Sequence, residues 1–179
     1  MVGYVELFLG PMYSGKSTAL IEAADQYELC NKKVLMVNHA SDNRYGDSGV
    51  YTHGKHKKDA VMVGSLTHLI ENDIISDYDV VCVDEIQFFD DLNEFVKKAV
   101  ANQKVVVMSG LVGQYTLDPF ESVCKLIPFA DKITFMRSLC MSCKDGTKAS
   151  FNKKLVIDAP DVGGYGTYLP VCRCCYEKL

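Results

Sequence analysis

Gly10-Pro11-Met12-Tyr13-Ser14-Gly15-Lys16-Ser17 matches the phosphate-loop pattern GxxxxGK[ST] at every constrained position. The pattern has a physical basis. Its glycines let successive backbone N–H groups turn inward on the β- and γ-phosphates of a nucleotide, its lysine adds a cation, and its Ser or Thr hydroxyl can ligate Mg2+. Working outward, Tyr4-Val5-Glu6-Leu7-Phe8-Leu9 reads as a buried strand running into the loop. Lys16 to Cys30 reads as a helix running out of it, with its N-terminal dipole facing the phosphates. Strand, loop and helix in this order predict nucleoside triphosphate binding.

The chain has 179 residues, 48% of them hydrophobic, which suits one ordinary domain plus a small appendage and leaves no room for two large domains. No run approaches the ~20 apolar residues that span a bilayer. The N-terminus passes directly into the first strand without a charged-then-apolar leader, so a cytoplasmic location and no membrane partner are expected. With 19 Lys+Arg against 23 Asp+Glu, the net charge of -4 provides no global field for a nucleic acid polymer and favours small-molecule substrates. Of eight cysteines, Cys30, Cys82 and Cys124 are scattered through apolar segments and read as packing residues. The other five, Cys140, Cys143, Cys172, Cys174 and Cys175, gather near the C-terminus, where metal binding is the better reading.

Further along, Lys33 to Asn38 predicts a second parallel strand, and His39 to Lys58 predicts a long irregular loop. Within that loop Arg44 follows Asp42-Asn43, downstream of a strand end where ligands of α/β proteins sit; it either stabilises charge on a transferring phosphoryl group or is a solvated loop arginine. Ala60 to Val63 reads as a short strand and Ser65 to Glu71 as a capped helix with Leu66, Leu69 and Ile70 facing inward. Asp79 to Val83 is an apolar strand ending at Asp84-Glu85. An acid at the end of a neighbouring parallel strand reaches Mg2+ while the phosphate-loop Ser or Thr holds it from the other side, which suits Asp84 and Ser17. The adjacent Glu85 can take a proton from an attacking hydroxyl, orient a water, or merely cap the next helix.

Of Phe88 and Phe89 one enters the core and the other is free to line a base-sized pocket, while Gln87 carries the paired donor and acceptor that read a nucleobase edge. Asp90 to Val100 predicts an amphipathic helix burying Leu92, Phe95, Val96 and Val100, and Val105 to Met108 the next strand. A loop from Gly110 to Tyr115 comes after it, with Tyr115 and Phe120 near the pocket, and a last short strand lies within Phe129 to Met136.

Cys140-Met141-Ser142-Cys143 and Cys172-Arg173-Cys174-Cys175 are two CxxC pairs separated by residues 144 to 171. Two such knuckles make a closed, tetrahedral, structural zinc site from Cys140, Cys143, Cys172 and Cys175, with Cys174 surplus; disulfide pairing is the competing reading. The segment between them is rich in glycine, with a proline, and clamped at both ends, which suits a lid over a ligand, with Tyr168 as an aromatic or hydroxyl contact.

Taken together, the chain resembles the thymidine kinases of the cellular and poxviral type along nearly its whole length. GPMYSGKST at 10 to 18 looks like that family's phosphate loop, DNRYG at 42 to 46 its arginine loop and DEIQFF at 84 to 89 its acidic motif. ASFNKKL at 149 to 155 and VGGYGTY at 162 to 168 look like its lasso, and VCRCCY at 171 to 176 its last zinc knuckle. The resemblance implies an α/β phosphate-loop fold with a mainly parallel sheet over residues 1 to 138, followed by a zinc-held lasso over 139 to 179. It implies transfer of the γ-phosphate of Mg-ATP to the 5'-hydroxyl of thymidine in nucleotide salvage for DNA synthesis, with Glu85 as general base. Gly10 to Thr18, Asp42, Arg44, Asp84 and Gln87 would bind ATP, with Lys16 and Arg44 on phosphate charge and Ser17 and Asp84 on Mg2+. Met12, Phe88, Leu111, Tyr115, Phe120, Asn152, Ala159, Pro160, Asp161, Val162, Gly163 and Tyr168 would hold thymidine. A homotetramer and feedback by thymidine triphosphate are implied as well.

Ile86, Val112, Asn152 and Lys154 depart from the family's usual glycine, acid, Ser/Thr and Arg, which bears on choice among thymidine, deoxyuridine and analogues and leaves the phosphate chemistry intact. Lys154 in particular lacks the bidentate fork of arginine. The rival readings are a nucleic-acid-binding ATPase, which as a helicase would need a second motor domain, and a zinc-binding interaction module, which would leave Glu85 and the phosphate loop without work.

Overall fold

Strands that are apolar on both faces need cover on both sides. A computed structural model, which describes residues 2–42, 49–51, 57–155 and 166–178, shows how that cover is supplied. In chain order the elements are β1 (Tyr4–Leu9), α1 (Lys16–Leu29), β2 (Val34–His39), β3 (Val50–Tyr51), β4 (Lys57–Lys58), β5 (Val61–Val63), α2 (Thr67–Glu71) and β6 (Val80–Val83). They continue with α3 (Leu92–Ala101), β7 (Val105–Gly110), α4 (Glu121–Leu126), β8 (Lys132–Phe135), β9 (Ser138–Leu139), β10 (Lys148–Ala149), β11 (Phe151–Lys154), β12 (Tyr168–Val171) and α5 (Arg173–Lys178). Six strands form one sheet in the order β5-β2-β6-β7-β1-β8, and every pairing in it is parallel. The chain leaves β1 through α1, enters β2 beyond the places later filled by β6 and β7, and then returns to fill them. All these strands therefore end on one edge of the sheet, where ligands of such folds bind.

Alternation along each strand divides the core in two. Val5, Leu7 and Leu9 of β1 face the side covered by α2, α3 and α4, packing with Leu69, Phe95, Val96 and Val123. Tyr4 and Phe8 face the other side, where α1 lays Leu20 and Ala24 over Met36, Cys82 and Val107. The buried Glu6 is paired across the β1–β8 register with Lys132 at 2.7 Å. Among the described residues no helix is long and apolar enough to cross a membrane.

The packing role expected for the three scattered cysteines holds for Cys82, whose thiol burial pushes up to about 12, and for the half-buried Cys124. Cys30 is a correction. It caps the end of α1 and is exposed, because the helix's buried stripe stops short of it. The loop expected over His39 to Lys58 holds the antiparallel pair β3 and β4, whose two-residue strands are too short to give a periodic signal. Phe89 is buried and Phe88 half-buried, as two adjacent aromatics require.

The helix expected from Ser65 begins at Thr67, and the one expected from Asp90 begins at Leu92; one carboxylate explains both. Asp91 turns away from its own helix. Its Oδ2 accepts from Ser65 Oγ at 2.6 Å, Thr67 N–H at 2.8 Å and Thr67 Oγ1 at 2.9 Å, so it caps α2 from the threshold of α3. Burial alone would raise the Asp91 carboxyl, but these bonds outweigh it and hold it below the usual carboxylate range. A depressed pKa contributes stability above the unfolded-state value and loses it as pH falls through the folded one. Asp91→Ala should thus lower unfolding free energy by ~1 kcal/mol at pH 7, as loss of a cap does. In urea titrations at decreasing pH, the gap between the two proteins should shrink below the unfolded-state value of about 4.

Candidate active site

The loop between β1 and α1 is closed on itself. The Pro11 carbonyl accepts from Ser14 Oγ and from Lys16 Nζ, each at 2.8 Å. Gly15 lies at φ 86, the left-handed region that glycine adopts without strain, and α1 starts immediately after it. Its first turn, Lys16-Ser17-Thr18, holds no acid, so nothing there opposes an anion at the helix N-terminus. A Cβ on Gly10 would stand 2.5 Å from the Met136 carbonyl oxygen, so the first loop position requires glycine.

Two strands away, β6 delivers Asp84 and Glu85 to the same edge. Asp84 is buried and accepts hydrogen bonds from Ser17, from Ser109 Oγ at the end of β7, and from the Glu85 N–H at 3.0 Å. Burial and the neighbouring Glu85 charge push its carboxyl up to about 6, against these bonds. Ser17 and Asp84, expected to share a cation, are thus in contact. Glu85 itself sits at φ 52, a left-handed backbone that is uncommon for a non-glycine residue. Gln87 donates from Nε2 to Glu85 Oε2 at 2.5 Å and accepts the Leu111 N–H at Oε1, 3.0 Å away. Gln87, expected at the nucleotide, has one amide donor and its acceptor engaged within the protein and also lines a second cavity with Asp90, Gln114 and Phe120.

The C-terminal segment folds back onto the loop. Asn152 Oδ1, buried on β11, accepts the Met12 N–H at 2.8 Å, and Ser138 Oγ donates to the Tyr13 carbonyl at 3.1 Å. Leu111 and Asn152 share the wall of one cavity of about 470 Å3 with Gly10 and Pro11. Phe88 and Phe120 are outside its lining: Phe88 lies 5.7 Å from the His39 ring, and Phe120 packs against the core beside α4. Tyr115 and Tyr168 stand 6.1 Å apart, with the Lys154 ammonium 5.1 Å from the first ring and 6.0 Å from the second, a cation–π arrangement. Tyr176 on α5 donates its hydroxyl to the Tyr115 carbonyl at 2.7 Å. Asp42 accepts from Asn38 Nδ2 at 2.9 Å, and Thr18 is exposed on α1. Arg44 and the expected contacts Ala159, Pro160, Asp161, Val162 and Gly163 lie outside the described residues.

The sulfurs of Cys140, Cys143, Cys172 and Cys175 all lie within 4.8 Å of one another, and could hold a metal ion. Cys143 Sγ is 3.7 Å from Cys172 Sγ and 3.3 Å from Cys175 Sγ, far longer than the ~2 Å of a disulfide and close to the ~3.8 Å edge of a tetrahedron of thiolates around zinc. Burial resists ionisation of Cys140, but the N–H groups of Cys143, Cys172 and Ser142 outweigh it and lower the thiol to about 6. Hydrogen bonds with Cys175, Cys140 and Cys172 push Cys143 the other way. The surplus Cys174 is exposed and stands apart from the cluster.

Ser109, Gly110 and Tyr176 escaped the sequence reading. A hydroxyl ending an otherwise apolar strand, Val105 to Met108, was the signal for Ser109; nothing local marked Tyr176.

A parallel sheet with a phosphate loop after its first strand and an acidic pair on the same edge defines a phosphate-loop α/β protein. The flagellar accessory protein FlaH of Methanocaldococcus jannaschii has a similar fold, at TM-score 0.53 and 14% identity over 92% of this chain and 83% of that one. The family model for thymidine kinase matches residues 3–176. Thymidine kinases of raccoon poxvirus and of vaccinia virus (strain Western Reserve) are 36% and 35% identical to it, each over 97% of both chains. That of Choristoneura fumiferana entomopoxvirus is 36% identical over 97% of this chain and 96% of its own. The chain belongs to the thymidine kinase family, and is an enzyme of the kinase class.

Asp84 yields a pH prediction. A carboxyl raised in the folded state favours folding at low pH, and that advantage is lost as pH rises from its unfolded value near 4 to about 6. Without divalent cation or nucleotide, Asp84→Asn should therefore unfold at higher denaturant than the natural protein at pH 7.5, by ~1–3 kcal/mol, with the difference shrinking towards pH 4. Equal pH dependence in the two proteins would contradict the assignment.

Proposed function

We propose that this enzyme transfers the γ-phosphate of ATP to the 5'-hydroxyl of thymidine, with Glu85 as general base. The observation that carries this reading is the convergence, on one edge of the sheet, of the phosphate loop, the Ser17–Asp84–Ser109 chain and the Glu85 carboxylate. Glu85 takes the proton from the 5'-hydroxyl; the oxygen forms a bond to the γ-phosphorus as the bond to the bridging β,γ-oxygen breaks, and ADP leaves with that electron pair. Lys16 and the backbone donors of the loop bind and orient the phosphates, drawing Nζ away from the Pro11 carbonyl. Ser17 and Asp84 would hold Mg2+, which when bound supplies positive charge to the phosphates. The buried, crowded carboxylate of Asp84 fits such a cation. Asp42, Arg44 and Thr18 complete the ATP side.

Met12, Leu111, Asn152, Tyr115 and Tyr168, together with Phe88, Phe120 and residues 159–163, form the thymidine side. Aromatic faces stack on the base, and backbone groups of the 159–163 segment read its edge. The sulfur cluster holds structural Zn2+ and divides the chain into a catalytic part, residues 1–138, and a metal-held part, residues 139–179. A cytoplasmic homotetramer serving nucleotide salvage, inhibited by thymidine triphosphate at the same site, completes the reading and rests on family membership.

Phosphate transfer from Mg-ATP should depend on thymidine, measured beside deoxyuridine, deoxycytidine and no acceptor. Glu85→Gln should lower kcat by ~10²- to 10⁴-fold while ATP still binds. ATP turnover indifferent to every nucleoside would overturn the reading. The purified protein should also carry about one zinc per chain by elemental analysis, and Cys175→Ser should lose it together with thermal stability, as removing a structural metal does.

A further inference from the structure

Gln87 has the chemistry to read a base, and in this structure its amide bridges two groups of the protein. The residue is 7% exposed, and both ends of its amide are engaged. A carboxylate only accepts and a backbone N–H only donates, so Nε2 must face Glu85 and Oε1 must face Leu111, which fixes the amide's orientation. The surroundings are built to keep it there. Ile86, fully buried, anchors the 3₁₀ turn that carries Gln87. Gly110 leaves the room: a Cβ there would stand 2.5 Å from Ile86 Cγ1 and 2.8 Å from Gln87 Oε1.

We infer that Gln87 is a positioning residue for Glu85, a strut from the Leu111 backbone to the carboxylate that faces the acceptor hydroxyl. The inference rests on Glu85 being the general base. A glutamate has three rotatable bonds, and its backbone hydrogen bond to Asp84 fixes only where the side chain starts. The donor from Gln87 restrains where it ends, through a charge-assisted bond that is stronger than a neutral one. Because the other end of the strut is the first residue of the loop carrying Tyr115, the base is aligned to the wall of the nucleoside site as well as to the phosphate loop.

The test is a double-mutant cycle on kcat and on KM for ATP and thymidine, using Gln87→Met, Glu85→Gln and the pair, with thermal melts to confirm folding. Gln87→Met keeps the size and loses both bonds. It should lower kcat roughly 10- to 100-fold, the effect of a misplaced reacting group, with both KM values within about threefold of the natural enzyme. In the Glu85→Gln background it should change kcat by less than about twofold, because its contribution passes through Glu85. Gln87→Glu keeps an acceptor for Leu111 but no donor for Glu85; it should lower kcat at least as far, and serves alone if the methionine variant fails to fold. An equal loss in both backgrounds, or a raised KM for ATP at unchanged kcat, would overturn the positioning role and leave Glu85 as the base. Natural kcat in Glu85→Gln would overturn the base and the strut together.

Discussion

The registers in which β6, β7 and β1 pair govern the site. Val83 stands opposite Met108 and Leu9 opposite Gly110, so one further residue along β6 brings Asp84 level with Ser109. The same registers bring the Gly10 N–H to the Gly110 carbonyl. None of this alignment is set by the polar groups that profit from it. A slip of one residue would exchange Val81, Val83, Val106 and Met108 with Val80, Cys82, Val105 and Val107 between two cores of different shape, and the mismatched packing costs ~1–3 kcal/mol or more. Apolar packing therefore holds the polar constellation to ångström tolerance, and the last residues of β7 turn that tolerance into chemistry.

The same edge is where the fold gives up stability. A left-handed Glu85, a buried Asp84 beside a second carboxylate and a glycine pressed against a side chain are each unfavourable alone. They persist because the sheet beneath them is buried on both faces. The device seen at Asp91, a carboxylate that caps a neighbouring helix instead of its own, is stabilising and lies away from the chemistry. Strain and compensation are thus spatially separated.

Most of the sheet was legible because parallel strands buried on both faces leave continuous apolar runs: Tyr4 to Leu9, Val34 to Val37, Val80 to Val83 and Val105 to Met108 stand out without any structure. The phosphate loop and the acidic pair were legible because their chemistry requires particular residue types at fixed spacing. What the sequence hid depends on contacts across space. Asp91 looked like the first turn of its own helix and Cys30 looked like core, since nothing local says which way a side chain turns. Two-residue strands such as β9 and β10 are shorter than any periodic signal. Tyr176 reaches Tyr115 across 61 positions of chain, a distance over which pattern carries no information.

The bond from Met12 to Asn152 spans 140 positions, and that from Ser138 to Tyr13 spans 125. During synthesis the phosphate loop is made well before the residues that hold its backbone, Ser138 and Asn152. A nascent chain can assemble the strand and helix that flank the loop long before Asn152 exists to hold the Met12 amide. The loop can close on itself through the Pro11 carbonyl early, but its tie to the rest of the molecule waits for the segment that leads into and out of the first cysteine knuckle.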